Sequence, residues 1–287
     1  LFHFAHAVGW DRFLWQQGRG PWKPSFLHWP VFRKLVAEKL LERLGGRMRL
    51  CVSGGAALNA HISRTFIGLG VPICQGYGLT EASPIIAVNR LDKNEPSSIG
   101  QPLPGIEVRF GPNDALQSRG PNVMMGYWKL PEATAKVIDA DGWLDTGDQA
   151  KWRDGFLYIT GRIKEIIVLG NGEKVPPVDM ELAIQLDPLF EQALVIGEGK
   201  PFLAAMVVLN DAEAAKAGPL DEKALAARLS AQLKEFPGYA QIRKVAVLPE
   251  KWTVDNGLLT STLKPRRNQI LERHADRVAE LYKGHVK

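Results

Sequence analysis

Residues 48–81 read MRLCVSGGAALNAHISRTFIGLGVPICQGYGLTE and contain one local pattern twice. In each copy an apolar run, MRLCV or VPIC, leads into a glycine-rich turn, SGGAAL or QGYG. A helix that runs through Phe66 is predicted between the two copies. Strand–turn–helix units in series are typical of an open, largely parallel sheet whose loops gather at the carboxyl ends of its strands. The stretch therefore predicts an α/β fold.

The sequence on either side of this stretch changes character. Residues 31–45 show the apolar periodicity of a helix. From Ser98 to Ile159, short alternating runs with frequent Gly and Pro predict a small antiparallel sheet or barrel. A boundary is expected near 161–164. Beyond it the order β-α-β-β-α-β predicts a compact α+β domain, with helices over 178–186 and 221–235.

The composition excludes several classes of protein. With 287 residues, 45% of them hydrophobic and 23% charged, the chain has the composition of an ordinary globular protein. The net charge of +5 suits anionic molecules such as ATP and CoA, but basic and acidic residues are interleaved, and no tract typical of nucleic-acid binding is present. The two cysteines, Cys51 and Cys74, form no CxxC pair. Buried reduced thiols are therefore predicted, which favours a cytoplasmic location.

Residues 1–30 contain four of the eight tryptophans, mixed with phenylalanines and cations. One interpretation is an amphipathic segment that makes peripheral contact with the inner face of a membrane. The favoured one is a pair of helices whose aromatic faces pack on polypeptide outside this chain. No apolar stretch approaches the ~18 residues needed to span a bilayer. Because the amino terminus at Leu1 has neither a signal peptide nor an initiating Met, a fragment of a longer protein is expected.

Two glycine-rich turns carry groups suited to a nucleotide. The small residues of SGGAAL (53–58) would let the backbone approach a flat ligand closely. In QGYGLTE (75–81), two glycines free the backbone to curl around a phosphate, and Tyr77 offers a stacking face. Thr80 supplies a hydroxyl donor, and Glu81 supplies a carboxylate of the kind that Mg²⁺ takes beside phosphates. For each turn the alternative is an ordinary loop without a ligand.

Two later segments add polar groups. Asp148 ends GWLDTGD and suits the two hydroxyls of a ribose, although acidic residues and glycines also populate turns for structural reasons. Arg162 in GRIKE can bind ribose or phosphate oxygens. The Asn171-Gly172 pair that follows is a strong hairpin signal in its own right.

These segments, together with LTSTLKPRR at 259–267, resemble the successive core motifs of the adenylate-forming enzymes. That superfamily contains acyl-CoA synthetases, luciferases and the adenylation domains of peptide synthetases. The resemblance runs from about residue 45 to residue 269. Within the superfamily, GLTEASP and LTSTLKPRR are most similar to long-chain fatty acid–CoA ligases.

The resemblance implies an architecture and an activity. Residues 1–162 would form the carboxyl-terminal part of a large nucleotide- and acyl-binding domain, with a parallel sheet and a small antiparallel β-barrel. Residues 163–287 would form a mobile α+β lid domain. The implied reaction uses ATP and Mg²⁺ to activate a fatty acid as acyl-AMP, and then transfers the acyl group to CoA.

The resemblance also implies roles for individual residues. The catalytic residues would be Lys264, Thr80 and Glu81, and Glu81 would also hold Mg²⁺. The nucleotide-binding residues would be Gly54, Gly55, Ala56, Gln75, Gly76, Tyr77, Gly78, Thr80, Asp148 and Arg162. The hinge would be Lys164, and the CoA channel would contain Gly170, Gly172 and Glu173. Without the resemblance, Lys264 would be a solvated cation in a basic tail beside Arg266 and Arg267.

The sequence departs from the superfamily pattern at one place. A Ser/Thr/Gly-rich loop that ends in Pro-Lys-Gly and cradles the β- and γ-phosphates should precede QGYGLTE, and nothing in residues 1–74 resembles it. This chain alone is therefore expected to be inactive or nearly so. Three alternatives stay open: a fatty acyl-AMP ligase that acts on a carrier protein, a non-catalytic nucleotide-binding module, and a lipid-surface protein.

Overall fold

The computed structural model describes residues 1–56 and 58–284 and contains two units, Leu1–Thr160 and Gly161–Lys287. The helices of the first unit are α1 (Phe2–Gln16), α2 (Trp29–Phe32), α3 (Glu38–Arg43), α4 (Ala60–Gly68) and α5 (Pro131–Ala135). The strands that begin in this unit are β1 (Cys51–Ser53), β2 (Ile73–Gly78), β3 (Ile85–Val88), β4 (Gln101–Pro102), β5 (Glu107–Phe110), β6 (Ala115–Arg119), β7 (Leu144–Arg153) and β8 (Phe156–Arg162).

The predicted helices of the first unit are confirmed. A π-helical turn, Arg33–Ala37, joins α2 to α3, so the chain is helical from Trp29 to Arg43. Asn59 caps α4, because its side-chain oxygen accepts hydrogen bonds from the backbone of the first helical turn. The helix α4 then forms the crossover that parallel strands require.

The first sheet has the order β1-β2-β3-β4 and is mixed. As predicted, β1 and β2 are parallel, with Ser53 opposite Gln75. The pairs β2–β3 and β3–β4 are antiparallel, whereas a largely parallel sheet was expected. The connection over residues 79–84 explains the difference, because a parallel return needs a crossover of about a dozen residues. The α/β class is confirmed.

The antiparallel sheet predicted between Ser98 and Ile159 is also confirmed, with the order β5-β6-β7-β8. Along β7, buried and half-buried residues alternate from Leu144 to Ala150, as expected for a strand with one face in a core. Side chains from both sheets share that core. Its buried members are Ala82, Ile86, Ala87, Ile99, Leu116, Leu144, Ala150 and Leu157.

The second unit is built on a three-stranded sheet with the order β11-β12-β13. Its strands are β9 (Ile167–Val168), β10 (Lys174–Val175), β11 (Phe190–Ile196), β12 (Leu203–Leu209) and β13 (Ile242–Val247). Its helices are α6 (Pro177–Ile184), α7 (Asp211–Ala217), α8 (Glu222–Gln232), α9 (Arg267–Arg273) and α10 (Ala275–Leu281). The predicted β-α-β-β-α-β order is present with two additions, because the first strand is a hairpin of β9 and β10 and because α7 precedes α8; two further helices follow.

The three-stranded sheet is covered on both faces, which explains the continuous apolar run LAAMVVL in β12. On one face, Val195 and Ala205 belong to a core that includes residues of α6 and α8. On the other, Leu194 and Met206 belong to a core that includes Trp252 and residues of α9 and α10. The unit therefore has two cores separated by one sheet.

The amino-terminal aromatic residues lie in two environments. Trp10 stacks on Phe13 with ring centroids 5.2 Å apart, whereas Phe4 and Leu27 are 64% and 73% exposed. Within the described residues, no helix combines the length and the apolar character needed to cross a membrane. Both cysteines are free: Cys74 is buried as predicted, while Cys51 is only half-buried because β1 is an edge strand.

A buried asparagine connects β2 to the loop that follows β3. Asn89 is 3% exposed, and its Nδ2 atom donates to the carbonyl oxygen of Ser98 at 2.8 Å. Its Oδ1 atom accepts from the backbone N–H of Glu95 at 2.9 Å, and its backbone N–H donates to the carbonyl oxygen of Gln75 at 2.9 Å. The side chain therefore satisfies backbone groups that burial has removed from water.

We predict that Asn89→Ala lowers the free energy of unfolding by about 2–3 kcal/mol, because it leaves buried backbone groups of Glu95 and Ser98 without partners. The measurement is urea unfolding of the 287-residue chain. Gln16→Ala is the control: Gln16 is exposed, and its loss should change stability by less than about 0.5 kcal/mol. Equal effects of the two substitutions would contradict the prediction.

Candidate functional site

The parallel pairing of β1 and β2 brings the two glycine-rich turns together. Gly54 follows β1 and lies beside Gly76 of β2, since a Cβ atom on Gly54 would be 3.7 Å from the Gly76 carbonyl oxygen. Gly55 has a φ of +80°, in the left-handed region that favours glycine. Ala56 is exposed. These predicted nucleotide-binding residues thus form one small, side-chain-poor surface.

Tyr77 and Asp148 meet directly, although they are far apart in the sequence. The Tyr77 hydroxyl donates to Oδ2 of Asp148 at 2.6 Å. Asp148 is 6% exposed, and its backbone N–H donates to Oγ1 of Thr146 at 3.2 Å. A hydrogen bond to a carboxylate is short and strong, so it fixes the tyrosine ring next to the carboxylate. Gln75, on the same strand as Tyr77, is 8% exposed.

A close backbone approach shapes the turn that carries Thr80 and Glu81. A Cβ atom on Gly78 would lie 1.7 Å from the Pro84 carbonyl oxygen, so glycine is required there. The backbone N–H of Leu79 donates to that same oxygen at 2.8 Å. The chain then enters a 3₁₀ turn, Thr80–Ala82, in which Thr80 is exposed and Glu81 is half-buried. The QGYGLTE turn therefore carries a hydroxyl and a carboxylate on consecutive residues.

The structure adds Tyr127, which sequence reasoning missed. Its hydroxyl donates to Oε1 of Glu81 at 2.8 Å, and the backbone N–H of Met124 donates to the Glu81 carbonyl oxygen at 2.8 Å. The hydrogen bond to Glu81 raises the pKa of Tyr127. The segment over 124–127 thus holds both the side chain and the backbone of Glu81. The sequence gives no local signal for this contact, because Tyr127 lies in a loop remote from the glycine-rich turns.

An open cavity of about 640 Å³ is lined in part by Tyr127. Its lining comes from residues between 124 and 139 and includes Tyr127, Ile138 and Asp139. Neither Tyr77 nor Asp148 lines it. Tyr127 therefore both lines this cavity and donates a hydrogen bond to Glu81.

Glu81 fits a magnesium ion that arrives with a nucleotide. Within residues 1–56 and 58–284, no group of three or more His, Cys, Asp or Glu side chains is arranged to hold a metal ion. Mg²⁺ is commonly bound through one or two carboxylates together with substrate phosphates, and keeps several waters. A single half-buried carboxylate, that of Glu81, is compatible with that donor set.

The remaining predicted residues lie in the second unit. Arg162 ends β8 and is exposed, and Lys164 is exposed in the turn that follows. Gly170, Gly172 and Glu173 belong to the loop between β9 and β10. The Asn171-Gly172 hairpin signal is confirmed, since Gly172 has a φ of +86° and the backbone N–H of Leu169 donates to the Glu173 carbonyl oxygen at 2.9 Å.

Lys264 lies in an exposed loop that is closed by backbone hydrogen bonds. The backbone N–H of Thr260 donates to the Lys264 carbonyl oxygen at 2.9 Å, and the backbone N–H of Lys264 donates to Oγ1 of Thr260 at 3.0 Å. Leu263 has a φ of +62° and is 69% exposed. Within the described part of the chain, the structure gives no hydrogen bond or ion pair to the Lys264 ammonium. The loop therefore presents an ammonium that is accessible to a ligand.

Comparisons with known proteins identify the family to which the two halves of the chain belong. Residues 26–128 match the AMP-binding enzyme family, and residues 164–286 match the AMP-binding enzyme C-terminal domain. The long-chain-fatty-acid–CoA ligase FadD15 of Mycobacterium bovis is 38% identical over 271 residues, which are 88% of this chain and 45% of that protein. The long-chain-fatty-acid–[acyl-carrier-protein] ligase AEE15 of Arabidopsis thaliana is 32% identical over 284 residues, 89% of this chain and 39% of that protein.

A solved structure is also similar. The A domain of a carboxylic acid reductase from Segniliparus rugosus, in complex with AMP and a co-purified carboxylic acid, has a TM-score of 0.73 and 25% identity, over 98% of this chain and 46% of that one. The chain thus spans less than half the length of each of these relatives.

The Tyr127–Glu81 hydrogen bond predicts a pH dependence of stability. The neutral phenol is the donor, and its pKa is raised in the folded chain. Its contribution is therefore fully present below the ordinary tyrosine pKa of about 10 and is lost as the pH rises through the raised value. We expect Tyr127→Phe to lower the free energy of unfolding by about 1 kcal/mol at pH 8, and this difference to shrink above about pH 10. The measurement is urea unfolding of both chains between pH 7 and pH 11.

Tyr239→Phe is the matched control, because Tyr239 is 43% exposed and no contact of its hydroxyl is seen within the described residues. It should leave stability unchanged at every pH. A Tyr127→Phe difference that is absent at pH 8, or that stays constant to pH 11, would refute the assignment.

Proposed function

Because the chain belongs to the AMP-binding enzyme family, we propose that it is the carboxyl-terminal part of a long-chain fatty acid–CoA ligase. In the first half-reaction, the fatty acid carboxylate attacks the α-phosphorus of ATP; an acyl–O–P bond forms, and the bond to pyrophosphate breaks. In the second, the CoA thiol loses its proton and attacks the acyl carbon. A thioester forms, and AMP leaves with the electrons of the broken C–O bond.

The hydrogen bond between Tyr77 and Asp148 is the observation that carries this proposal. A ring suited to stacking on adenine and a carboxylate suited to ribose hydroxyls lie side by side. The backbone of Gly54, Gly55 and Ala56, with Gln75, Gly76 and Gly78, would line the purine and the sugar. Arg162 would add a second group toward the ribose. This combination supports a nucleotide as the ligand.

The reacting groups would be handled by Thr80, Glu81 and Lys264. Thr80 would donate a hydrogen bond to the α-phosphate, and Glu81 would hold Mg²⁺, which when bound neutralises phosphate charge. Lys264 would place its ammonium beside the α-phosphate and the carboxylate, where negative charge develops in the transition state.

Two domain roles complete the proposal. Residues 1–162 would supply the nucleotide site, and residues 163–287 would form the mobile domain that turns about Lys164 between the half-reactions. Gly170, Gly172 and Glu173 would then line the CoA channel.

The acceptor of the acyl group defines the main alternative, a fatty acyl-AMP ligase that acts on a carrier protein. This alternative is supported by the relative AEE15, which is named as a ligase that acts on acyl-carrier protein. A non-catalytic nucleotide-binding module is a further alternative. The presence of Lys264, Glu81 and Asp148 argues against it, because a site that only retained AMP would have no physical need for all three.

Lys264 provides the test of the proposed function. In the complete protein that contains this chain, we expect Lys264→Ala to slow adenylation of a fatty acid by about 10² or more, because a positioned charge is lost from the transition state. Transfer from preformed acyl-adenylate should be spared. The measurements are pyrophosphate release for the first step and thioester formation for the second, with CoA and a carrier protein compared as acceptors.

Lys223→Ala is the control, since Lys223 is an exposed lysine on α8 in the same unit. It should change neither step. If Lys264→Ala slows both half-reactions equally, the role assigned to Lys264 is wrong. If the unsubstituted protein releases no pyrophosphate in response to a fatty acid, the proposed function is wrong. Thioester formation with the carrier protein alone would establish the alternative acceptor.

Residues 1–30 allow a separate test of membrane contact. In the favoured interpretation, polypeptide outside this chain covers exposed side chains such as Phe4 and Leu27. We therefore expect the complete protein to stay in the supernatant when vesicles containing phosphatidylglycerol are sedimented. Sedimentation with the vesicles would instead support a peripheral membrane protein, provided that Phe4→Ser abolishes it and that Val254→Ser in the second unit does not. A cytoplasmic location stays a prediction from the two free cysteines.

A further inference from the structure

A buried ion pair lies close to Lys264 in the sequence. Arg267 begins α9, and its Nη1 atom donates to Oε1 of Glu181 at 2.6 Å, while Nη2 donates to the Val195 carbonyl oxygen. The same Glu181 oxygen accepts from the backbone N–H of Val195 at 2.7 Å. The carboxylate of Glu181, the backbone N–H and C=O of Val195, and the guanidinium of Arg267 thus form one hydrogen-bonded cluster.

This pair lies in an apolar environment. Glu181 is flanked in α6 by Met180 and Ile184, both fully buried, and the side chains of Glu181 and Arg267 are 10% and 18% exposed. Burial raises the pKa of Glu181, and the charge of Arg267 opposes that rise. Buried ion pairs seldom stabilise a fold more than apolar residues of similar size would. Stability alone is therefore a weak reason for this arrangement.

The ion pair fixes one end of the Lys264 loop. The backbone N–H of Arg266 donates to the carbonyl oxygen of Leu258 at 2.9 Å, and Leu259 bridges to Pro265. Leu258 is 2% exposed, so the incoming end of the loop is held by core packing. The outgoing end continues directly into Arg267. The loop that carries Lys264 is thus held at its incoming end by apolar contacts and at its outgoing end by the ion pair.

We propose that Arg267 and Glu181 are positioning residues that hold the Lys264 loop for adenylation. This inference rests on the proposed function of Lys264. A lysine side chain is long and flexible, so the backbone that carries it decides where the ammonium can be held. A displacement of about 1 Å at a reacting group can cost a factor of about 10² in rate. The planar guanidinium suits this task, because its fork reaches two acceptors at once and an ammonium cannot reproduce that geometry.

The first experiment uses Arg267→Lys and Glu181→Gln in the complete protein. We expect the adenylation rate to fall about 10-fold or more, while transfer from preformed acyl-adenylate changes less than about 2-fold. Glu181→Gln keeps the side-chain shape and an oxygen acceptor but removes the negative charge that holds the Arg267 guanidinium, so it tests the ion pair even if Arg267→Lys fails to fold.

Arg228→Lys is the matched control. Arg228 makes a similar fork, with Nε and Nη2 at 2.7 and 2.6 Å from the two carboxylate oxygens of Asp187. This pair joins α8 to the connection between α6 and β11, away from the Lys264 loop in the sequence. Its loss should lower the thermal midpoint without changing the ratio of the two half-reaction rates. A purely structural role for Arg267 would give that same result, and it would overturn the inference.

The second experiment does not depend on activity. In the 287-residue chain, hydrogen exchange at the backbone amides of Thr260, Lys264 and Arg266 should accelerate about 10-fold or more in Arg267→Lys but not in Arg228→Lys. Unchanged protection would overturn the inference while leaving the proposed function intact. If the loop loosens but the unsubstituted complete protein forms no acyl-adenylate, the proposed function fails and the positioning role fails with it.

Discussion

The parallel pairing of β1 with β2 determines where the proposed nucleotide site can form. Because the crossover helix α4 returns the chain to the same edge of the sheet, both strands end there, and Gly54 comes to lie beside Gly76. The next residue along β2 is Tyr77, which reaches Asp148 on β7. A shift of this register by one residue would turn Tyr77 to the opposite face of the sheet and separate it from Asp148.

Buried polar groups, rather than apolar packing alone, hold β2 in that register. The side chain of Asn89 accepts a hydrogen bond from the backbone of the loop that follows β3. The backbone N–H of Asn89 donates to the carbonyl oxygen of Gln75 in β2. Asn94 donates from Nδ2 to the carbonyl oxygen of Ile73 at 2.8 Å. A short strand rich in glycine has few side chains to bury, so its position depends on such directed bonds. The glycines of β2, which the proposed function places against a nucleotide, thus depend on polar support from a neighbouring loop.

The sequence predicted the elements of the fold more reliably than the direction in which its strands pair. The predicted helices and strands beyond residue 161 follow from local patterns, because α6, α8 and the strands β11 to β13 bury apolar side chains in a shared core. The antiparallel return of β3 depends instead on the short connection over 79–84. Tyr127 could not be predicted, because its bond to Glu81 joins two distant loops and leaves no local pattern. From the sequence, Gly78 was expected only to let the backbone curl around a phosphate; the need for glycine there comes from the Pro84 carbonyl oxygen, which lies next to it only in the folded chain.

Lys264 and Arg267 illustrate why a basic tail cannot be interpreted from composition. Both looked like solvated cations beside Arg266, yet one is exposed and the other forms a buried ion pair. An ammonium that must meet charge only in a transition state is most useful when no protein carboxylate competes for it. A guanidinium that must fix a backbone is most useful when every donor is engaged and shielded from water. The two needs are incompatible in one side chain, so the proposed mechanism assigns them to two neighbouring residues, Lys264 and Arg267.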